Sequence, residues 1–276
     1  MLSRLACLIE KHKYEFATLE SLDTGKPLSC SKNVDIMHSI RTLRYYASLC
    51  DKVDGRVVNN NDGYFSYVIR EPIGVCALIT PWNFPLCTLI SKLAPALCTG
   101  NTCVVKVSEE TPLTSLRLAP LIIEAGFPPG VVNILVGLGP VAGTALVRHP
   151  LVDKISFTGS TKVGKSIQQY SGETIKRITL ELGGKSAAVV CADADLNSAV
   201  YNICHGMFYN AGQICVALSR VFVHESCYDE FLSKAVEFCR SIKICDPFEC
   251  DASQGPMTTE KQFNKVIVIV THYILK

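Results

Sequence analysis

Between residues 74 and 191 the chain alternates short apolar runs with segments of helical periodicity, and this alternation limits the possible folds more than any other feature. We predict strands at 74–80, 102–106, 131–136, 155–158, 178–181 and 187–191, and helices at 86–97, 113–125, 142–148 and 163–170. Strands that are apolar almost throughout are buried on both faces, which is typical of parallel sheets covered by helices. The sequence therefore predicts a doubly wound, parallel α/β sheet.

The segments on either side of this region carry different patterns. Residues 2–50 have helical periodicity, whereas 51–73 alternate around a turn at 59–63, which indicates a β-hairpin that packs on another surface. Beyond Lys185 the pattern shifts, which suggests a second domain with a helix ending near 208, a strand at 220–224 and a helix at 228–239. Residues 266–276 are rich in β-branched side chains and predict an apolar, strand-forming tail.

Composition excludes several classes of protein. The 276 residues are 48% hydrophobic and 19% charged with a net charge of +2, so we expect one or two globular domains and no nucleic-acid partner. No apolar run reaches the roughly 18–20 residues that cross a bilayer, and residues 1–10 lack the apolar centre of a signal peptide. We therefore expect no membrane partner and a cytoplasmic protein, or a mitochondrial one if a targeting segment lies upstream of Met1.

The 14 cysteines contain no Cys-x-x-Cys pair, so we predict no metal site. Cys215 lies in a small, polar loop and is the exception among them. Most of the others are expected to be buried, inert apolar side chains, among them Cys76, Cys87, Cys191 and Cys239.

Two glycine-rich turns between a predicted strand and a predicted helix are candidates for binding a dinucleotide. The turn at 137–143, with Gly139 and Gly143, is similar to the dinucleotide fingerprint, although its last glycine comes one residue late. The turn at 159–164 has hydroxyl groups that would cap its helix, whose free N–H groups suit a phosphate. Either turn is equally well explained as a tight strand-to-helix connection, so the residues alone leave both open.

Lys106 and Glu109 follow a predicted strand and have two interpretations. They belong either to a solvated loop or to a ribose site. A glutamate that accepts hydrogen bonds from both ribose hydroxyls would repel a 2′-phosphate, and it would therefore favour NAD over NADP.

Asn83 lies between the aromatic residues Trp82 and Phe84, with Lys92 in the predicted helix that follows. The asparagine is either a structural turn residue or an amide donor to a developing oxyanion. Lys92 either points in the same direction or is solvated.

Glu181 and Cys215 have the most suggestive chemistry in the chain. Glu181, in the run Leu-Glu-Leu-Gly-Gly-Lys-Ser, is a candidate general base, and Cys215, which ends Gly-Gln-Ile-Cys, is a candidate nucleophile. Their ordinary interpretations are a surface glutamate and a core cysteine, and no histidine has the spacing of a partner for Cys215. Asn83, Lys106 and Glu181 nevertheless all follow predicted strands at their carboxyl ends, where α/β sheets bind ligands.

Five motifs occur in the order typical of the NAD(P)-dependent aldehyde dehydrogenase family: Pro-Trp-Asn-Phe-Pro at 81–85, Lys-Val-Ser-Glu at 106–109, Phe-Thr-Gly-Ser-Thr at 157–161, Leu-Glu-Leu-Gly-Gly-Lys-Ser at 180–186 and Gly-Gln-Ile-Cys at 212–215. The chain resembles this family, and its mitochondrial and retinal class above all, from about residue 5 to 267. The resemblance implies a Rossmann-like NAD-binding domain at 1–50 and 74–184. It also implies a β-hairpin oligomerisation segment at 51–73 and an incomplete α/β catalytic domain at 185–276.

The resemblance implies a role for each matching position. Cys215 would be the nucleophile, Glu181 the general base and Asn83 the oxyanion donor, with Lys92 in the same catalytic group. The cofactor would be NAD rather than NADP, with the 159–164 turn at its pyrophosphate and the Gly139 turn nearer its adenosine. The implied cofactor contacts are Trp82, Lys106, Glu109, Gly139, Gly143, Phe157, Gly159, Ser160, Thr161, Val163, Gly164 and Leu182.

The implied activity is oxidation of a small-molecule aldehyde to its carboxylic acid through a thiohemiacetal and a thioester on Cys215, in a homodimer or homotetramer. The chain lacks the family's later Glu-x-Phe-Gly-Pro segment and C-terminal strand, and it departs from the family pattern after about residue 267. We therefore expect a chain truncated at both ends, from a truncated gene model, intron read-through or a splice variant. The alternative function is an inactive dinucleotide-binding or assembly-modifying fragment.

Overall fold

The computed structural model describes residues 1–60, 62–249 and 251–274, and it begins with a helical layer followed by a hairpin. The helices are α1 (Leu2–Lys11), α2 (Lys13–Thr24), the short α3 (Leu28–Cys30), a π-helical segment (Ser31–Asp35) and α4 (Ile36–Ala47). Strands β1 (Arg56–Asn59) and β2 (Phe65–Val68) pair antiparallel, as predicted. Their side chains are largely exposed in this chain, so packing of the hairpin on another surface stays a prediction.

The central sheet has five parallel strands in the order β5-β4-β3-β6-β7. The strands are β3 (Val75–Ile79), β4 (Thr102–Val107), β5 (Val132–Val136), β6 (Lys154–Gly159) and β7 (Arg177–Leu182). Between them run α5 (Pro85–Cys98), α6 (Leu113–Glu124), a π-helical segment (Gly139–Gly143), α7 (Thr144–Arg148) and α8 (Thr161–Ser171). The chain builds outward from β3 through β4 and β5, then returns to the other side of β3 for β6 and β7. This reversal opens a crevice at the carboxyl ends of β3 and β6.

Alternate residues of the central strands enter two apolar layers. In β3, Cys76 and Leu78 pack with α1, α4, α5 and α6, whereas Ala77 and Ile79 pack with α7 and α8. Helices therefore cover both faces of the sheet, which confirms the predicted doubly wound α/β fold.

A second, smaller parallel sheet follows, with β8 (Ala187–Val190) beside β9 (Arg220–Val223). Helix α9 (Leu196–Phe208) connects these strands through a short 3₁₀ turn (Tyr209–Gly212). Another 3₁₀ turn (Glu225–Cys227) leads into α10 (Tyr228–Ser241), which packs with α9 around Val200 and Phe231. No helix among the described residues is long and apolar enough to cross a membrane.

The last helix, α11 (Glu260–Ile274), shows that the prediction of a strand-forming tail was wrong. The hydroxyl of Thr259 accepts a hydrogen bond from the Gln262 N–H at 3.2 Å, which caps the start of the helix. Thr-x-x-Gln is the sequence pattern of a capping box, and this start signal was missed. Once a helix is nucleated it propagates cooperatively, so the β-branched run at 266–270 is only a weak obstacle. Leu275 and Lys276, at the end of the predicted tail, lie outside the described residues.

The cysteines are less buried than predicted. Cys76 is buried, but Cys191 and Cys239 are exposed and Cys87 is half-buried. A helix turns about 100° per residue, so Cys239 points outward although its neighbour Phe238 packs on the core. Apolar neighbours in the sequence therefore do not determine which way a helical cysteine points.

Candidate active site

The candidate residues gather where the central strands end. Asn83 follows β3, and Lys106 is the second-last residue of β4. Gly159 ends β6, and Glu181 is the second-last residue of β7, beside Thr158 of β6. Because all five strands are parallel, their carboxyl ends form one edge of the sheet. The crevice at its centre is the position at which sheets of this topology bind ligands.

Asn83 is tied to the loop that carries Cys215. Its side-chain Nδ2 donates to the main-chain oxygen of Gln213 at 2.7 Å, and Nδ2 of Asn210 donates to the main-chain oxygen of Asn83 at 3.2 Å. A side-chain amide has two N–H donors, and among the described residues the second one of Asn83 has no acceptor. The amide group of Asn83 is thus hydrogen-bonded to a residue that precedes the candidate nucleophile, Cys215, by two positions in the sequence.

The backbone before Cys215 is left-handed at three successive residues. Asn210, Ala211 and Gly212 have φ values of 52°, 55° and 72°. This conformation costs roughly 1–2 kcal/mol for alanine, so the surroundings must compensate. Gln213 supplies part of that support, since its Nε2 donates to the Asn210 oxygen at 3.0 Å while its Oε1 accepts from the Thr258 N–H at 3.1 Å.

Cys215 and Glu181 both have exposed side chains at the end of β7. A Cβ atom built on Gly184 would lie 3.3 Å from the Cys215 oxygen, so the Gly-Gly turn after Glu181 runs directly against the cysteine's main chain. His205 instead packs its ring against Tyr209, at 5.4 Å between centroids. Among the described residues no histidine is hydrogen-bonded to Cys215, in line with the missing histidine spacing.

Lys92 is buried rather than solvated. Its side chain crosses from α5 to β6, where Nζ donates to the Ser156 hydroxyl at 3.0 Å, and the residue is 9% exposed. Burial lowers the pKa of Lys92 to about 8, and the negative charge of Glu181 acts in the opposite direction. The charge of Glu181, the candidate base, therefore acts on Lys92 from the same side of the sheet.

Lys106 and Glu109 join the end of β4 to the first glycine turn. Nζ of Lys106 lies 2.6 Å from Oε2 of Glu109, whose Oε1 accepts from the Gly139 N–H at 3.0 Å. Burial acts to raise the pKa of Glu109, but hydrogen bonds from Lys106 and main-chain N–H groups outweigh it and leave the pKa lowered. A carboxylate is thus held ionised at this end of the crevice. Since Lys106 is 4% exposed, the solvated-loop interpretation does not apply to it.

The two glycine turns differ in structure. The predicted helix at 142–148 begins as the π-helical segment and continues as the five-residue α7, and the Gly139 N–H is already bound to Glu109. The other turn opens the longer α8, capped by Ser160, whose hydroxyl accepts from the Val163 N–H at 3.3 Å. Exposed residues at its start, Thr161 and Val163 among them, belong to a first turn whose N–H groups have no partner within the helix.

Close packing explains the glycines around α8. A Cβ on Gly164 would lie 2.6 Å from Leu182 Cδ2, and one on Gly159 would lie 2.5 Å from Phe157 Cζ. Gly164 therefore lets the start of the helix approach the end of β7. Phe157 is 5% exposed and lies in the apolar layer, so its ring fills the space beneath Gly159.

Several residues that shape the site had been missed in the sequence. Asn210, Gln213 and Thr258 hold the cysteine loop through side-chain hydrogen bonds. The Asn-Ala-Gly run offered a turn signal, since Asn and Gly tolerate left-handed backbone. Thr258, by contrast, lies 45 residues from its partner and no local pattern marks it.

Among the described residues, the ligand atoms of Cys245, Glu249 and Asp251 lie within 4.8 Å of one another. Asp251 is paired with Lys243, and both carboxylates are exposed. Exposed acidic groups of this kind are common without a metal, and we propose none. Cys250 lies outside the described residues.

A parallel sheet with a central reversal and a capped helix start at the crevice define a dinucleotide-binding α/β protein. The chain belongs to the aldehyde dehydrogenase family, whose family model matches residues 1–274. It is 50% identical to human retinaldehyde dehydrogenase 3 over 98% of this chain and 53% of the relative. It is 49% identical to chicken retinal dehydrogenase 2 over 98% of this chain and 52% of that relative.

A solved structure carries the same fold. The NAD⁺ complex of an aldehyde dehydrogenase from Bacillus cereus has a TM-score of 0.96 and 43% identity, and covers 98% of this chain and 55% of that one. The chain thus spans about half the length of the relatives it matches. The family match confirms the resemblance and continues past residue 267, where a departure had been predicted.

Proposed function

We propose that the chain carries the cofactor-binding and nucleophile-bearing part of an enzyme that oxidises an aldehyde to its carboxylic acid with NAD. The observation that carries this proposal is the hydrogen bond that the Asn83 amide donates to Gln213, which lies two positions before Cys215 in the sequence. In the same proposal, residues 1–50 and 74–184 form the NAD-binding domain and 185–276 belong to the catalytic domain. The hairpin at 51–73 serves assembly into a homodimer or homotetramer.

The chemistry begins at Cys215. Its thiolate attacks the carbonyl carbon, forming a C–S bond while the carbonyl oxygen takes up an electron pair and becomes an alkoxide. The unused N–H of Asn83 and the main-chain N–H of Cys215 donate to that oxygen. Donors held in place before the reaction stabilise the developing charge without further rearrangement.

NAD, when bound, supplies the acceptor for the hydride that leaves the substrate carbon, and the substrate remains on Cys215 as a thioester. Glu181 takes a proton from a water molecule, whose oxygen attacks the thioester carbon. The C–S bond then breaks, which releases the acid and restores the thiolate. Lys92, held by Ser156 on the same side of the sheet, is placed in the same catalytic group as Glu181 in this proposal.

The residues present fit this cofactor. The capped start of α8 offers the first N–H groups of the helix to a pyrophosphate, and a Cβ atom at Gly159 or Gly164 would meet the side chain of Phe157 or Leu182. Lys106 and Glu109 would hold the adenosine ribose, where the ionised carboxylate would repel a 2′-phosphate, so we propose NAD in preference to NADP. The remaining proposed contacts are Trp82, Gly139, Gly143, Ser160, Thr161, Val163 and Leu182, with Phe157 beneath them.

Two measurements on the purified chain test the proposal. Trp82 is the single tryptophan, so its fluorescence reports NAD binding directly, with Trp82→Phe as the blank. NADH absorbance with a short aliphatic aldehyde reports turnover, with Cys215→Ser and Glu181→Gln beside the unchanged chain. We expect NADH formation that Cys215→Ser abolishes.

The alternative is favoured by one observation, the coverage of about half of each relative. A chain of this length that binds NAD and forms no Cys215-dependent NADH would be a dinucleotide-binding fragment. Size-exclusion chromatography with light scattering separates the assembly-modifying version of this alternative, since it requires association between chains.

A further inference from the structure

A buried cluster of charged side chains lies beneath Asn83, and the chemistry above does not use it. Lys26 and Asp35 form an ion pair with 2.5 Å between Nζ and Oδ2, and both side chains are 1% exposed. Glu20 beside them is fully buried. A buried ion pair is commonly no more stabilising than apolar residues of the same size, so overall stability is a weak explanation for it.

Two aromatic rings lie between the ion pair and the segments that carry Asn83 and Cys215. Nζ of Lys26 lies 3.9 Å from the centroid of the Phe84 ring, and Phe84 stacks on Tyr209 at 6.4 Å with an interplanar angle of 14°. Phe84 directly follows Asn83, and Tyr209 directly precedes Asn210. The stacked rings therefore belong to the two segments whose asparagines are hydrogen-bonded to each other.

A second connection runs from the same turn to the other side of the cysteine loop. The main-chain oxygen of Thr24 accepts from the Thr258 hydroxyl at 2.8 Å, and the Thr258 N–H binds Gln213. Gly25, which lies between Thr24 and Lys26 in the sequence, has a φ of 76°, and a Cβ atom there would lie 2.9 Å from the main-chain oxygen of Pro256. The turn at 24–26 thus contacts both supports of the loop.

The hydrogen bonding of Glu20 leaves Lys26 with one clear anionic partner. Oε1 of Glu20 accepts from the Leu86 N–H at 3.4 Å, at the start of α5, while Oε2 has no partner among the described residues. Burial raises the pKa of Glu20 to about 7, with Lys26 opposing the rise and Asp35 adding to it. Burial raises the pKa of Asp35 as well, against the opposing effect of Lys26.

We propose that Lys26 and Asp35 are positioning residues for the active site: the ammonium group, held by Asp35, fixes the Phe84 and Tyr209 rings and thereby aims the Asn83 amide at the position that Cys215 attacks. The left-handed conformation of Ala211 needs such external support, because strained backbone persists only where its surroundings determine it. The inference rests on the proposed function, since aim matters only if Asn83 and Cys215 act on one substrate.

The test variant is the double substitution Lys26→Met with Asp35→Asn. Both changes keep the side-chain volume and remove the two charges of the ion pair together, and the carboxyl group of Glu20 is uncharged in assays below its pKa of about 7. The variant is therefore expected to fold. Phe84→Leu removes the ring between the ammonium group and Tyr209. Lys32→Met is the matched control, because Lys32 also lies over an aromatic ring, Tyr14 at 5.9 Å, in the same segment but away from the site.

Three readouts are compared after thermal unfolding has confirmed folded chains. The first is the side-chain amide NMR signal of Asn83, assigned by its loss in Asn83→Asp. The second is kcat for Cys215-dependent NADH formation, and the third is NAD affinity from Trp82 fluorescence. We expect the double variant and Phe84→Leu to shift the amide signal and to lower kcat by roughly tenfold or more, the scale of a desolvated cation–π contact. NAD affinity should stay within about twofold of the unchanged chain, and Lys32→Met should match it throughout.

An unchanged Asn83 signal and kcat in the folded double variant would overturn the inference, as would an equal effect of Lys32→Met. If the unchanged chain forms no Cys215-dependent NADH, the proposed function fails by itself. The Asn83 signal then still decides whether the ion pair positions this amide.

Discussion

Gly164 offers a sharp test of how closely α8 approaches β7. In Gly164→Ala the new Cβ would lie 2.6 Å from Leu182 Cδ2 and 3.1 Å from Cδ1, so Leu182 has to move. Overpacking costs about 1–3 kcal/mol in a core, and the lower end applies here because the clashing atoms are the ends of a half-buried, rotatable side chain. Against it stands a gain of about 0.4–1 kcal/mol, because alanine has less conformational freedom to lose on folding than glycine.

Gly143→Ala is the matched control. Gly143 is also buried, its backbone angles of −63° and −46° suit alanine, and a Cβ there has no heavy atom within 4 Å among the described residues. It should show the gain without the clash. The unfolding free energies of the two variants should therefore differ by about 1 kcal/mol, with Gly164→Ala the less stable.

Urea unfolding followed by Trp82 fluorescence measures both variants. Equal stability of the two variants would refute the inferred contact between α8 and β7.

Three further changes probe other parts of the structure. Because the pKa of Lys92 is lowered in the folded chain, the unfolded chain binds one more proton between about pH 8 and 10.5. The free energy of unfolding should therefore rise with pH in that window, and it should rise less in Lys92→Met. Urea titrations at several pH values measure this, and parallel curves for the two chains would contradict it. Glu109→Gln removes the carboxylate that we propose repels a 2′-phosphate, and it should shift the ratio of NADP to NAD affinity by about tenfold toward NADP. Trp82 fluorescence measures both affinities, with Glu110→Gln as the neighbouring control. An unchanged ratio would contradict the placement of Glu109 at the ribose. Thr259→Ala removes the cap of α11 and should lower the stability of the helix start by about 1 kcal/mol. Amide hydrogen exchange in the first turn should then be faster, whereas Thr271→Ala should leave that turn unchanged. Unchanged exchange in Thr259→Ala would mean that the cap does not hold the helix start.

The central sheet could be predicted because its signal is local. Each strand is a short apolar run bounded by turn residues, and the alternation of strands with helices implies parallel pairing. Ser160 was recognised as a potential cap for the same reason, since a cap and its helix are adjacent in sequence. The start of α11 carried an equally local signal at Thr259, which the β-branched run after it obscured.

The arrangement of the site depended on contacts that no local pattern contains. Asn83 and Gln213 are 130 residues apart, and only the return of the chain to the crevice brings them together. The burial of Lys92 likewise followed from Ser156 on a strand 64 residues away, although the lysine had an equally reasonable solvated interpretation. Residue types therefore indicated the chemistry, while tertiary packing decided which residues meet.

The separation between Asn83 and Gln213 also sets the order in which the site comes into being. Ribosomes add about 5–20 residues per second, so the strand end that carries Asn83 is synthesised roughly 6–26 s before the 130-residue gap to Gln213 is closed. During that interval the Asn83 side chain exists without its hydrogen-bond acceptor, and Cys215 has not yet been made. The hydrogen bond between Asn83 and Gln213 consequently cannot form before the chain has been synthesised through Gln213.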